Sequence, residues 1–325
     1  MFSRAWMNVL LLNNIIGVLL AVEVSFNQPR FRSNATWNSN ATTFANESVI
    51  FVNSNNTIYI PNQKTGEILI WQNESHLNPT KTIQGNLSDP LSIFVTTNGD
   101  IYVDNGANPG RIDKWIAANE TWISVMMNVT STCHALFIDI YESLYCSMFD
   151  KHRVNKKWSN GTATIVAGSE LNTLNRPWGI FVDINLDLYV ADYGNNRIQL
   201  FRLNQRNGIT VAGNGSAKLT VELIRPTGVV LDGDRHLFIV DHGNHRIIGS
   251  DENGFRCIFG CSTSDKLSFP VTMSFDSYGN IYVTDPNNHR IEKISLSKRS
   301  DRKCENFSMF LIKYYLNSID LSTEI

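Results

Sequence analysis

Short apolar runs, each closed by polar turn residues, follow one another along most of the 325-residue chain. An aliphatic residue, an aromatic and a small hydrophobe recur within them. The copies are Ile58-Tyr59-Ile60, Ile101-Tyr102-Val103, Leu144-Tyr145-Cys146, Leu188-Tyr189-Val190, Leu237-Phe238-Ile239 and Ile281-Tyr282-Val283. The aromatic falls at 59, 102, 145, 189, 238 and 282, at intervals of 43, 43, 44, 49 and 44. Runs of this length and composition predict strands. Their fixed spacing marks an internal repeat.

Each unit has the same interior. Twelve residues before the aromatic stands Glu47, Pro90, Cys133, Pro177, Pro226 or Pro270. An apolar run follows, such as Ile93-Phe94-Val95 or Ile180-Phe181-Val182. It ends in turn residues such as Asn98-Gly99-Asp100 and Tyr278-Gly279-Asn280, which accept the positive φ of tight hairpins. A second turn after the aromatic strand reads Asp192 to Asn196, Asp241 to His245 and Asp285 to His289. A third strand opens with Arg197, Arg246 or Arg290, with weaker copies at Arg111 and Arg153. Several third strands end in an aromatic, at Trp71, Trp115, Trp158 and Phe201, suited to packing between units. Fourth runs such as Thr164 to Gly168 and Ile209 to Gly213 complete most units. Four short strands per unit predict an all-β, six-bladed β-propeller of antiparallel blades. The last unit lacks a clean fourth strand, while Thr42 to Ala45 resembles one. An N-terminal strand is therefore expected to close the ring and remove its open edge.

The segments Pro177 to Asp183 with Leu188 to Ile198, Pro226 to Ile247 and Pro270 to Ile291 resemble the NHL repeat. Units four to six match strongly and units one to three are degenerate; the resemblance covers about residues 45–296. WD40 repeats fit less well, because no Trp-Asp ends the third strand, and Kelch lacks its Gly-Gly doublets. The resemblance implies binding of proteins, peptides or RNA. It also implies a minority of enzymes, among them the amidating lyases that act on peptidyl-hydroxyglycine through a zinc-bearing channel with histidine ligands from several blades. The zinc modules of NHL-bearing ubiquitin ligases have no cysteine framework here. Fold does not fix function, so these implications are analogy.

Composition narrows the reading. With 28 Lys and Arg against 30 Asp and Glu, the formal charge is −2. A nucleic-acid partner is not expected, since phosphate neutralisation needs a basic surplus. Arg4 precedes an apolar run from Val9 to Val22, broken by Asn13, Asn14 and Gly17. Residues 1–22 are read as a signal peptide with Ala21 a candidate −1 residue, an uncleaved anchor being the alternative. No later stretch is long enough to span a membrane. The propeller is placed at 34–296, leaving a tail at 297–325. Asn-x-Ser/Thr sequons stand at Asn34, Asn40, Asn46, Asn55, Asn73, Asn86, Asn119, Asn128, Asn160, Asn214 and Asn306. Together with the leader they point to a secreted, glycosylated protein. It is expected to be a monomer. The five cysteines, at 133, 146, 257, 261 and 304, then favour disulfides with one left over. Cys257 and Cys261 can pair only if Gly260 reverses the chain. Cys133 and Cys146 lie on adjacent strands but offset, and the connectivity is open.

The Asp192/Arg197, Asp241/Arg246 and Asp285/Arg290 pairs recur with the turn, so they are assigned to turn structure. His245 and His289 recur the same way. Loops leading into the inner strand and loops joining strands two and three share one face of a propeller. That face carries His134, Arg176, Trp178, Tyr193, Arg225, Thr227, His242 and Asn287. Trp and Tyr beside Arg are common interface anchors. Only His134 and His242 are placed to serve a metal, fewer than a catalytic zinc requires. No His-Glu-x-x-His, Gly-x-Ser-x-Gly or phosphate-binding loop occurs. The sequence thus reads as an extracellular scaffold binding a protein, peptide or glycan, with no catalytic residue, cofactor or metal assigned. The alternative is a metal-dependent propeller enzyme.

Overall fold

The computed structural model describes residues 24–47, 49–72, 78–106, 110–129, 131–168, 174–216, 220–262 and 267–297, without the side chains of 127–129. These residues form six four-stranded antiparallel sheets. Blade 1 comprises Phe51–Val52, Ile58–Asn62, Glu67–Trp71 and Lys81–Gln84. Blade 2 comprises Ile93–Val95, Ile101–Asp104, Gly110–Ile116 and Thr121–Val129. Blade 3 comprises Cys133–Ile138, Leu144–Met148, Arg153–Lys157 and Ala163–Gly168. Blade 4 comprises Pro177–Val182, Leu188–Asp192, Arg197–Phe201 and Ile209–Gly213. Blade 5 comprises Gly228–Leu231, Leu237–Asp241, Arg246–Asp251 and Gly254–Phe259. Blade 6 comprises Met273–Phe275, Ile281–Asp285, Arg290–Ile294 and, as its outer strand, Thr42–Ala45.

That outer strand closes the ring as the sequence predicts. Thr42 pairs with Lys293, Thr43 with Glu292 and Ala45 with Ile291. Trp37 bridges Leu296, and its indole N–H donates to Gly279 O at 2.9 Å. Both ends of the propeller sequence thus meet in one sheet, which leaves no radial gap for another strand to invade.

Local chemistry explains the hairpins. Asp139, Asp183, Asp232 and Asp276 each end an inner strand, and one carboxylate oxygen accepts from the amides two and four residues on. Asn53 does the same in blade 1. An Asp that satisfies two turn amides substitutes for the missing ladder partners. The six repeat aromatics pair across the sheet with Phe51, Phe94, Phe137, Phe181, Val230 and Ser274 of the inner strands.

The third-strand aromatics Trp71, Trp115 and Phe201 are buried between blades. Trp158 is not; it is 36% exposed. In blade 3 the interior is taken by Lys156, whose ammonium is held by Asp139 at 2.9 Å and the Tyr145 hydroxyl at 2.7 Å. The indole lies outside, 3.8 Å from that ammonium.

Two disulfides form. Cys133–Cys146 has a Cα separation of 5.2 Å. The offset noted in the sequence is real: Cys133 pairs opposite Met148 and Cys146 opposite Leu136. A bulge between Cys133 and Ala135 brings the diagonal sulfurs together. Cys257–Cys261 closes over 6.0 Å between Cα atoms, with Gly260 at φ +78° reversing the chain. Cys304, residues 1–22, which the sequence leads one to expect as a signal peptide, and all of the tail beyond residue 297 lie outside the described residues.

The chain before residue 34, left out of the propeller by the sequence reading, packs inside it. Phe26 sits in the channel against Phe94, Phe137 and Phe181, at ring distances of 6.4, 5.3 and 5.2 Å. Asn27 Nδ2 donates to Asn53 O and Phe275 O, and Gln28 Nε2 to Leu231 O and Asp232 O. Gly233 N donates to Pro29 O at 3.0 Å. This segment closes the channel at the mouth formed by the first hairpin turns.

Candidate functional site

The opposite mouth is built by the second turns and by the loops leading into the inner strands. Four second turns are single 3-10 turns: Phe149–Lys151, Tyr193–Asn195, His242–Asn244 and Pro286–Asn288. Each is capped by a residue in the left-handed region: His152, Asn196, His245 and His289, at φ 55°, 54°, 57° and 53°. In blades 4 to 6 a fully buried Asp holds the turn. Asp192 accepts from Arg197 Nε at 2.8 Å, Asn195 Nδ2 at 2.9 Å and Asn175 N at 2.7 Å. Asp241 accepts from Arg246, Asn244 and Ile224 N. Asp285 accepts from Arg290, Asn288 and Ser268 N. Each carboxylate therefore ties its own turn and third strand to the loop leading into its own blade. In blade 2 the charge has moved: Asp113 takes both Arg111 Nε and Asn105 Nδ2. In blade 3 Met148 occupies the Asp position, and Arg153 Nε is buried without a partner among the described residues.

The left-handed caps also latch blade to blade. His152 Nδ1 accepts from Arg176 N at 3.0 Å, Asn196 Oδ1 from Arg225 N at 2.8 Å and His245 Nδ1 from Phe269 N at 3.0 Å. The three donors are themselves left-handed, at φ 52°, 51° and 54°. All three side chains are exposed at the rim of the mouth.

Inside the rim the rings form one continuous arc. His134 stacks on Phe149 at 4.7 Å and meets Trp178 edge-on at 4.6 Å. Trp178 lies 5.5 Å from Tyr193, and Tyr193 lies 6.1 Å from His242. His242 meets Phe269 at 5.1 Å. Arg176 holds its guanidinium 5.5 Å from the Phe149 ring, and Arg225 holds its own 5.9 Å from Tyr193. Such contacts restrain a guanidinium while leaving its N–H fork outward. Burial pushes the pKa of both His134 and His242 down. They are therefore neutral near pH 7, and the charge around the arc comes from Arg176 and Arg225 and from Asp150 and Lys151 on the Phe149 turn. His242 Nδ1 lies 3.0 Å from Pro270 O, a contact in which the neutral ring donates.

Six of the eight residues assigned to this face thus stand in the arc or at its rim: His134, Arg176, Trp178, Tyr193, Arg225 and His242. Thr227 lies beneath it, 1% exposed, its hydroxyl donating to Pro270 O at 3.2 Å. Asn287 is exposed on the turn of blade 6. Phe149 and Phe269 were missed. Phe149 occupies the same repeat position as Tyr193 and His242, and Phe269 the position of Arg176 and Arg225, so aligning the units would have found both.

The mouth opens into an apolar cavity of about 130 Å³ that descends to Phe26. Its walls include Phe51, Phe94, Phe137, Phe181, Trp178 and Met273. A buried carboxyl ends the second strand of blade 2. Asp104 is 1% exposed, and both its oxygens lack a hydrogen-bond partner among the described residues. Burial, opposed in part by the nearby Cys133 and Gly106 amides, whose contacts fall short of hydrogen-bond geometry, and reinforced by Asp89 and Asp113, pushes this carboxyl up to about 7.

The residues do not fit a zinc centre. Trp178 lies between His134 and His242, and no group of three or more His, Cys, Asp or Glu among the described residues is arranged to hold a metal ion. Of the sequon residues, Asn34, Asn40, Asn46, Asn55, Asn86, Asn119, Asn160 and Asn214 are exposed. Asn73, Asn306 and the side chain of Asn128 lie outside the described residues. No helix among the described residues is long and apolar enough to cross a membrane.

The sequence profile of the NHL repeat matches residues 174–201, the blade 4 segment that carries Trp178, Tyr193 and the Asp192–Arg197 pair. The chain carries an NHL repeat. Its six-bladed ring shares its fold with solved propellers of low sequence identity. An auxiliary nutrient binding protein from Bacteroides thetaiotaomicron is 13% identical with a TM-score of 0.61, over 85% of this chain and 76% of that one. Virginiamycin B lyase from Staphylococcus aureus is 12% identical with a TM-score of 0.57, over 79% and 98%. A chain of the nidogen/laminin complex is 14% identical with a TM-score of 0.55, over 74% and 92%. No curated protein matches the chain in sequence.

Proposed function

We propose that this NHL propeller is an extracellular recognition scaffold that presents the face around His134, Trp178, Tyr193 and His242 to a protein, peptide or glycan. The observation that carries the reading is the unbroken arc of rings across blades 3 to 6, with two guanidinium groups at its rim. Aromatic and arginine side chains around a pocket are the groups that dominate binding energy at interfaces. The two disulfides, the apolar leader and the exposed sequons support an oxidising, extracellular setting. Proteins of similar fold include both a nutrient binding protein and a lyase, so fold alone does not separate the two classes.

The test is binding of the purified, secreted chain to an array of extracellular proteins and glycans, with two single variants compared. Trp178→Ala is expected to lose binding, and Trp158→Ala, on the outer edge of blade 3, to keep it. Equal binding by both variants would place the interface elsewhere. Elemental analysis of the same preparation is expected to find no stoichiometric zinc. About one zinc per chain would instead restore the metal-enzyme reading.

A further inference from the structure

We infer that the arc-and-channel face takes an acidic peptide segment that inserts one apolar side chain into the channel. The inference rests on the reading of this face as the binding surface and adds the chemistry of the ligand.

Three observations carry it. The first is charge. Arg176 and Arg225 are exposed, project from the rim of adjacent blades, and form no ion pair with a carboxylate among the described residues. The histidines beside them are neutral, and on the Phe149 turn Asp150 is offset by its neighbour Lys151, so the two guanidinium groups carry the excess charge of the arc. These pair best with planar carboxylates. Blade 2 carries Asp89 where blade 4 carries Arg176. The field across the mouth is therefore lopsided, drawing acidic residues toward blades 4 and 5.

The second is the cavity. At about 130 Å³ it approaches the roughly 150 Å³ that accepts a benzene ring. Its Phe-lined walls suit an aliphatic or aromatic side chain. A sugar has no such group to insert. The rings offer a sugar little open surface: guanidinium groups lie over Phe149 and Tyr193, Trp178 abuts His134, and of the six rings of the arc only Phe269 is exposed. A peptide supplies both the apolar anchor and the carboxylates.

The third is an internal precedent. At the other mouth the chain's own segment places Phe26 in the same ring of phenylalanines while Asn27 and Gln28 bond to carbonyls at the ends of inner strands. An extended peptide with one ring inserted and polar flanks is a mode of binding this channel already accommodates.

The probe is a phage-displayed library of random dodecapeptides panned on the whole secreted chain. The expected result is enrichment of sequences in which Phe, Leu or Trp is flanked by Asp or Glu. The double variant Arg176→Glu/Arg225→Glu should weaken those peptides at least about tenfold and select lysine-bearing ones instead. Both side chains are exposed, so its melting temperature should match that of the parent protein. Enriched peptides that are neutral or basic, acidic peptides that bind the double variant unchanged, or no enrichment at all would each overturn the inference. Trp178→Ala separates the two levels. If it abolishes binding of a ligand that charge reversal leaves untouched, the face is right and the acidic peptide wrong. If acidic peptides bind Trp178→Ala as well as the parent, both fall.

Discussion

At the residue scale, His152, Asn196 and His245 do the same work with different atoms. Each presents a lone pair from a left-handed cap to the amide of the next blade's leading loop. Only the acceptor and its reach matter, so imidazole Nδ1 and carboxamide Oδ1 are interchangeable. His245→Asn should therefore keep wild-type stability within about 0.5 kcal/mol, while His245→Leu, which orphans the Phe269 amide, should lose about 1 kcal/mol. Urea denaturation of the two variants checks this. A histidine that recurs in a repeat looks like a metal ligand until its partner is known, and here the partner is a backbone N–H.

Asp104 is the residue-scale exception, a carboxyl buried without a counter-charge. Its pKa of about 7 in the fold lies above the ordinary value of 3.8. The folded state therefore resists ionisation. Stability is fully present below the ordinary value and is lost as pH rises from there to about 7. Asp104→Asn removes the ionisation, so it should stabilise the protein by a few kcal/mol at pH 8 and change little at pH 4. Denaturation curves at both pH values test this; equal effects at the two would show that the carboxyl is not held in its neutral form.

At the scale of elements, the Val24-to-Arg30 segment behaves as a stopper rather than a blade strand. Its fit rests on one aromatic anchor and a few amide bonds to strand-end carbonyls. Phe26→Ala leaves a hole among phenylalanines already packed around the channel. A loss of about 2–4 kcal/mol is expected, since the half-buried ring sits near the lower end of the range for Phe truncations. The truncated protein should also bind a hydrophobic dye in the opened channel, which fluorescence titration reads directly. The blades themselves follow shorter rules. Their hairpins are set by Asp residues that satisfy two turn amides and by left-handed residues at the tips. These signals lie within five residues of one another, so they are visible in the sequence.

At the scale of the whole molecule, the ring places residues from four blades on one mouth and joins the two ends of the propeller sequence in one sheet. The number of blades, their hairpins and the closing strand were determined by the sequence alone, because period-two apolar patterning, turn chemistry and repeat spacing are local and repeated. The Asp–Arg turn pairs were legible for the same reason. Most of the candidate face was legible from repeat positions: His134, Arg176, Trp178, Tyr193, Arg225 and His242 reach it. Phe149 and Phe269 stand at repeat positions that the sequence also shows. Tertiary structure alone decided that Thr227 faces inward, that the rings of neighbouring blades meet as one arc, and that a bulge pairs Cys133 with Cys146. It alone decided that Phe26 fills one end of the channel and that Asp104 lacks a partner. The disulfide depends on a bulge within blade 3, and the others on how far one blade stands from the next around the axis. That distance comes from side-chain packing between sheets, which no pattern within a single repeat encodes.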